Sequence, residues 1–253
     1  MENNKTEILS GIHPVFEALR AGRRNFHSLF LKKEYQRSDL NRTRINKICQ
    51  YAEKRGLRIE YVEQLFLDKL IKGTKHQGVA ARVSYYPILG LSDFFIMHKK
   101  SENLPFVLIL ENIEDPHNFG ALIRTALCAG VDCIMIPKDR SVSPVPSVSR
   151  ASAGAMEHAQ IFKITNVANT IKKLKQKGAW VAGLDASGDT TLYNADFSGF
   201  FILVVGGEHK GIRPLVKKEC DFLISIPVKG AVNSLNASVA GGIALYEAAR
   251  QRG

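Results

Sequence analysis

The chain has 253 residues, of which 45% are hydrophobic, and carries a formal net charge of +11. This length suggests one or two domains with ample material for a buried core, and the composition is that of an ordinary globular protein. The longest strongly apolar run, Phe200 to Val205, is far short of the roughly 20 residues a membrane span needs, and the polar N-terminus lacks the apolar stretch of a secretory signal.

In chain order, HPVFEALRAG has apolar residues at helical spacing, with Pro14 in a first turn. HSLFLKKE reads as a short strand. Asn41 to Arg55 reads as a helix with basic residues around its apolar positions. LRIEYVE alternates like a strand, EQLFLDKLI reads as a helix and GVAARVSYY as a strand. Residues 1–84 thus form a small α/β unit. The stretch from Pro87 to Leu104 is less regular, so 85–104 is expected to be a linker.

The remainder, 105–253, alternates more decisively. FVLILEN, CIMIP, IFKI, WVAGLDA, FFILVVGG and LISIP read as strands. NFGALIRTALCAG, VSRASAGAMEHA, VANTIKKLKQKG, RPLVKKEC and the segment from Ser234 onward read as helices. Strands alternating with helices imply a mostly parallel sheet covered on both faces, hence an α/β fold.

The charge is uneven. Residues 1–103 hold 19 Lys and Arg against 11 Asp and Glu, whereas residues 104–253 hold 16 against 13. A basic excess in the first part of the chain favours a polyanionic partner, with nucleic acid ahead of a merely solvated surface. Cys49, Cys128, Cys133 and Cys220 show no CxxC spacing, which points to reduced thiols in the cytoplasm and to no metal site.

Three loops after strands of the second domain carry polar residues, and open α/β sheets collect ligands at the carboxyl ends of their strands. The first, ENIEDPHNFGALIRTA, offers Asn118 as a helix cap and Arg124 within an apolar helix face. In the second, VVGGEHKGI, Gly206 and Gly207 permit close approach of a ligand, and Glu208 follows at once. In the third, IPVKGAVNSLNASVAGG, Ser234 is placed to cap the last helix and Asn236 to bond outward. Gly241 and Gly242 in that helix imply close approach by another backbone, from a second subunit or a cofactor loop, or else tight packing within the chain. No dinucleotide fingerprint, phosphate-binding loop or Ser-His-Asp arrangement is present.

NFGALIRTA, GGEHKGI and IPVKGAVNSLNASVA resemble the three ordered motifs of the SpoU (TrmH) family of RNA ribose 2′-O-methyltransferases, in the SPOUT superfamily. SGIHPVFEALRAG and KHQGVAARV resemble the small RNA-binding domain that precedes the catalytic domain in many members. PHNFGALIRTALCAGVDCIMIPKDRS is especially similar to the group that methylates a guanosine of 23S rRNA. The resemblance implies an α/β-knot, a deep trefoil, in the C-terminal domain. It also implies S-adenosylmethionine as cofactor, RNA as substrate and a homodimer formed through the knot domain.

By the same resemblance Leu184, Gly206, Ile226 and Leu235 contact the cofactor, while Asn118, Arg124, Glu208, Ser234 and Asn236 form the catalytic site. A guanidinium keeps its proton in proteins, so Arg124 suits a phosphate or a developing alkoxide better than it suits the role of base, with Glu208 orienting it. Gly207, Lys229, Ala231 and Ala237 depart from the commoner family residues. The readings that compete are a tRNA or other rRNA target, a catalytically silent RNA-binding assembly factor and, more remotely, a nicotinamide enzyme.

Overall fold

The computed structural model describes residues 6–37, 43–73, 75–98, 104–208, 210–231 and 234–253. The chain divides into two compact units: Met1–Pro87 with Pro144–His158, and Ile88–Ser143 with Ala159–Gly253.

The first unit begins with β1 (Thr6–Ser10), α1 (Ile12–Ala21) and β2 (Phe26–Lys32). Then come α2 (Glu34–Arg37), α3 (Thr43–Lys54), β3 (Ile59–Val62), α4 (Gln64–Ile71) and β4 (Val79–Ser84). The sheet order is β1-β4-β2-β3, with β4 antiparallel to both its neighbours and β2 parallel to β3. Apolar residues at helical spacing on α1 and α3 (Val15, Leu19, Ile45, Ile48, Ala52) pack on Leu9, Leu29, Leu31 and Val79. Leu67 of α4 packs with Phe30 and Ala80 in a second, smaller cluster.

The second unit opens with β5 (Leu89–Gly90) and α5 (Leu91–Met97), inside the stretch expected to be a linker. Phe94 is the reason: its ring is buried and meets Phe162 edge-on at 5.7 Å. Residues 99–103 of that stretch lie outside the described residues. There follow β6 (Phe106–Glu111), α6 (Pro116–Cys128) and β7 (Cys133–Pro137). The later elements are β8 (Ile161–Ile164), α8 (Val167–Lys175), β9 (Trp180–Leu184), β10 (Thr190–Thr191), β11 (Phe201–Gly206), α9 (Pro214–Glu219), β12 (Phe222–Ser225) and α10 (Ala237–Arg252). The sheet order is β10-β12-β9-β11-β6-β7-β8-β5, and every described pairing is parallel.

Strand β6 is buried along its whole length, as a parallel strand covered on both faces must be. Val107 and Ile109 join one core with Phe162, Ile171 and Val204. Alternation turns Leu108 and Leu110 to the opposite face. From β6 the chain moves outward to β7 and β8, then returns on the other side of β6 as β11 and β9. The boundary between β6 and β11 is therefore the topological switch point, where ligands bind in such sheets.

The segment 144–158, expected as one helix over VSRASAGAMEHA, is α7 (Pro146–Ala151) and a separate 3₁₀ turn, Ala155–His158. The break falls at Ala153 (φ 51°) and Gly154 (φ 86°). A Cβ on Gly154 would lie 2.8 Å from the carbonyl of His13 and from the Glu17 side chain, so close packing on α1 requires glycine there. The segment is held by charge. Glu157 accepts Arg24 Nε at 2.6 Å and Nη2 at 3.1 Å, and Ser149 Oγ at 2.7 Å. Arg24 also meets Glu7 and donates to the Ser84 carbonyl at 3.1 Å. Burial beside this cluster pushes the Tyr86 phenol above its usual range.

Candidate active site

Proline at the first helical position needs a cap before it, and Asp115 provides one for α6. Its carboxylate accepts the N–H groups of His117 at 3.2 Å and Asn118 at 3.1 Å. Asn118 is thus not the cap; its side chain is left to reach outward. At α10 the cap is Asn236 rather than Ser234. Asn236 Oδ1 accepts Ser238 N–H at 2.9 Å, Ser238 Oγ at 2.6 Å and Val239 N–H at 3.3 Å.

With Oδ1 so engaged, the Asn236 amide nitrogen points at the other two loops. It donates to Asn118 Oδ1 at 3.1 Å and also meets Glu208 Oε1. Asn118 Nδ2 donates to the same Glu208 oxygen at 3.0 Å. Residues 118, 208 and 236, which begin three separate segments, form a closed polar triangle at the carboxyl ends of β6 and β11.

The glycines beneath Glu208 have a reason the sequence did not reveal. A Cβ on Gly206 would lie 2.3 Å from the carbonyl carbon of Gly211, and one on Gly207 would lie 2.0 Å from the Asn112 carbonyl oxygen. It is the chain's own backbone that approaches so closely, folding back through the Gly207–Gly211 bridge at Gly206 and turning after β6 at Gly207. Two residues not singled out from sequence fix that fold-back. Asn112 is in the left-handed region, φ 57°, and Glu111 is fully buried. Glu111 accepts the Arg213 N–H at 3.1 Å and pairs with its guanidinium, which ties the end of the second loop to the end of β6. A carboxylate closing the apolar run FVLILE was the available signal.

Two adjacent cavities share Gly207, Glu208 and Ala237 in their walls. One, of about 240 Å³, is lined by Leu184, Asp185, Gly206, Ile226, Ser234 and Leu235, among others. It gathers all four residues expected to touch a cofactor. Asp185 there is held by Lys217 at 2.6 Å and by Ser187 Oγ at 2.6 Å. Partial burial opposes ionisation of Asp185, but Lys217 and Ser187 outweigh it and keep the carboxyl below its ordinary range. The other cavity, of about 420 Å³, is lined by Asn112, Glu114, Asp115, Asn118 and Lys210 besides the shared residues.

Arg124 stands apart. It is exposed, two turns along α6 from Asn118, and among the described residues no hydrogen bond or ion pair engages it. The expected pairing with Glu208 is absent in this single chain, where Glu208 Oε1 accepts from the two amides instead. Gly241 answers to packing within the chain: a Cβ there would lie 2.5 Å from Leu122 Cδ2 of α6 and 3.5 Å from Val205. Gly242 has only ordinary contact with Thr125. Among the described residues no group of three or more His, Cys, Asp or Glu is placed to hold a metal, and no helix is long and apolar enough to cross a membrane.

A parallel sheet with two cavities at its switch point, rimmed by one carboxylate and two amides, defines an α/β protein with a ligand-binding site at the carboxyl ends of its strands. A sequence model of the SpoU rRNA Methylase family matches residues 105–246, and one for RNA 2′-O ribose methyltransferase substrate binding matches residues 8–89. The chain belongs to the SpoU rRNA methylase family, and its second unit has the α/β-knot fold of that family.

The 23S rRNA (guanosine-2′-O-)-methyltransferase RlmB of Shewanella oneidensis is 40% identical, covering 98% of each chain. YacO of Bacillus subtilis, provisionally described as a TrmH family tRNA/rRNA methyltransferase, is 40% identical over 97% of this chain and 96% of its own. The AdoMet-bound rRNA methyltransferase structure from Sinorhizobium meliloti superposes with a TM-score of 0.76 at 23% identity, covering 97% of this chain and 87% of that one.

Proposed function

We propose that this chain transfers a methyl group from S-adenosylmethionine to the 2′-hydroxyl of a ribose in RNA, with a guanosine of 23S rRNA as the target. The observation that carries the reading is the polar triangle of Asn118, Glu208 and Asn236 at the common rim of two cavities, in a chain of this family. RNA rather than DNA follows from chemistry, since only RNA offers the 2′-hydroxyl.

The 240 Å³ cavity fits such a cofactor in kind. Leu184, Ile226, Val228 and Leu235 supply apolar walls for a flat heterocycle, and the backbone around Gly206 supplies polar edges. Leu184, Gly206, Ile226 and Leu235 would hold it. When bound, the cofactor supplies an activated methyl on a sulfonium, so the protein's task is chiefly positioning and charge stabilisation.

Glu208 spends Oε1 on the two amides and keeps Oε2 for an incoming hydroxyl. Asn118 and Asn236 fix that carboxylate, and Ser234 lies on the cofactor side of the same rim. Arg124 stands apart from this rim within one chain; brought to it by a second subunit, it clamps a phosphate of the target and stabilises the oxygen as its proton leaves. We further infer a homodimer through α10. Its buried residues face α6, yet Val239 and Tyr246, seven positions apart, are 51% and 56% exposed.

Purified protein incubated with labelled S-adenosylmethionine and deproteinised cellular RNA tests the reading. The expected product, after digestion to nucleosides, is 2′-O-methylguanosine from 23S rRNA. Cofactor binding with no label in any RNA would instead support a silent RNA-binding factor, and label confined to tRNA would move the target.

A further inference from the structure

The first unit has two clefts that differ in free charge. One, of about 420 Å³, lies between α1 and α3. Arg44, Lys47, Tyr51 and Lys54 recur along α3 at helical spacing and line it, and Arg20 of α1 lines it too. The stripe from Arg44 to Lys54 runs about 15 Å along the helix axis. Arg20 is paired with Glu17 at 3.3 Å, and Glu17 also takes His158 at 2.8 Å. Among the described residues no carboxylate pairs with Arg44, Lys47 or Lys54. Arg44 instead lies over the Phe16 ring at 5.9 Å and beside His13, and Tyr51 meets Phe16 edge-on at 5.9 Å.

The second cleft, about 660 Å³, is larger but its charges are mostly spent. Lys32 pairs with Glu34 at 2.9 Å, His76 with Asp68 at 2.9 Å, and Tyr35 donates to the Gln77 carbonyl at 2.9 Å. Lys75 is the one cation in its lining for which no ion pair is described.

We propose that the α1–α3 cleft is the phosphate-holding surface for substrate RNA, with Arg44, Lys47 and Lys54 tracking successive backbone phosphates beside Tyr51. The proposal rests on the methyltransferase reading. Three cations in a row on one helix, with no carboxylate partner among the described residues, release counterions when they meet a polyanion, which is a sequence-independent and salt-sensitive source of affinity. The function is holding, not chemistry, so it belongs in KM for RNA and not in kcat.

The test compares full-length wild type, the triple variant Arg44→Glu/Lys47→Glu/Lys54→Glu and the single variant Lys75→Glu. These side chains are exposed, so the fold is expected to survive, which circular dichroism checks. The triple variant should raise KM for RNA about tenfold or more, leave kcat at saturating RNA and S-adenosylmethionine affinity within twofold, and lower the slope of log affinity against log salt by about two. Lys75→Glu should change KM less than threefold. An unchanged KM and slope in the triple variant, or a larger loss in Lys75→Glu, overturns the proposal. If wild type methylates no RNA, the methyltransferase reading fails. Filter retention of RNA by the same proteins without cofactor still judges the cleft on its own.

Discussion

Two glutamates, Glu157 of the first unit and Glu208 of the second, show two different uses of a carboxylate. Glu157 in the first unit is 1% exposed and accepts two guanidinium nitrogens and a hydroxyl. Glu208 in the second is exposed and accepts two amides on one oxygen. The first is saturated by fixed charge and walled from water, so it has nothing left to offer a ligand. The second is held in place by neutral groups, which cost it little of its acceptor strength, and it borders two cavities. Burial with full pairing marks structure; exposure with deliberate fixing marks a site.

The largest effect that separates them is on stability. Glu157→Ala leaves the buried Arg24 with only part of its compensation and should destabilise the protein by about 3–5 kcal/mol. Glu208→Ala should cost less than about 0.5 kcal/mol, as exposed surface changes do. Urea denaturation of the full chain compares the two. Equal losses would mean that exposure does not distinguish these carboxylates.

Next comes turnover. Arg124→Ala should lower kcat by about 10²–10³ if it stabilises charge developing at the reacting oxygen, with cofactor affinity and fold unchanged. Single-turnover methyl transfer at saturating RNA measures it. Residual activity above a tenth of wild type would remove Arg124 from the site.

A backbone effect sharpens the comparison within the site. Gly207→Ala places a Cβ 2.0 Å from the Asn112 carbonyl oxygen, so the loop must shift. A loss of about 1–3 kcal/mol is expected, together with weaker cofactor binding, read by denaturation and calorimetry. Alanine tolerated without either change would mean the loop relaxes freely.

The smallest expected effect is on pH response. The folded-state pKa of Asp185 is depressed, so its contribution is present above the unfolded value and is lost as pH falls through the lower folded value. Lys217→Met should remove this tie at a cost below about 1 kcal/mol near neutral pH and almost none below the folded pKa, so less stability is lost on acidification than in wild type. Unaltered acid unfolding in Lys217→Met would contradict the pairing.

Much of this organisation was legible in the sequence, for reasons that also explain the failures. Long apolar runs such as FVLILE and CIMIP and the periodic helices announced a parallel α/β unit because burial on both faces leaves no polar alternation. The two-residue strands β5 and β10 were invisible, since two residues carry no period. The break at Ala153 was hidden because the glycine beside it answers to a contact with α1, far away in sequence. At the site, three polar loops at strand ends singled out Asn118, Arg124, Glu208, Ser234 and Asn236, and the resemblance to family motifs supplied their catalytic roles. Their roles as caps were misjudged: Asp115 precedes Pro116 and takes the capping position from Asn118, and Asn236 takes it from Ser234. Gly206 and Gly207, expected to make room for a ligand, make room for the chain itself, whereas for Gly241 the structure selects the alternative of tight packing within the chain, against Leu122.

The most direct test is a transcriptome-wide map of ribose 2′-O-methylation in cells with and without this gene. One mark on a 23S rRNA guanosine should vanish with the gene, return with the wild-type chain and stay absent with Arg124→Ala. A map identical with and without the gene would contradict the function assigned to the site.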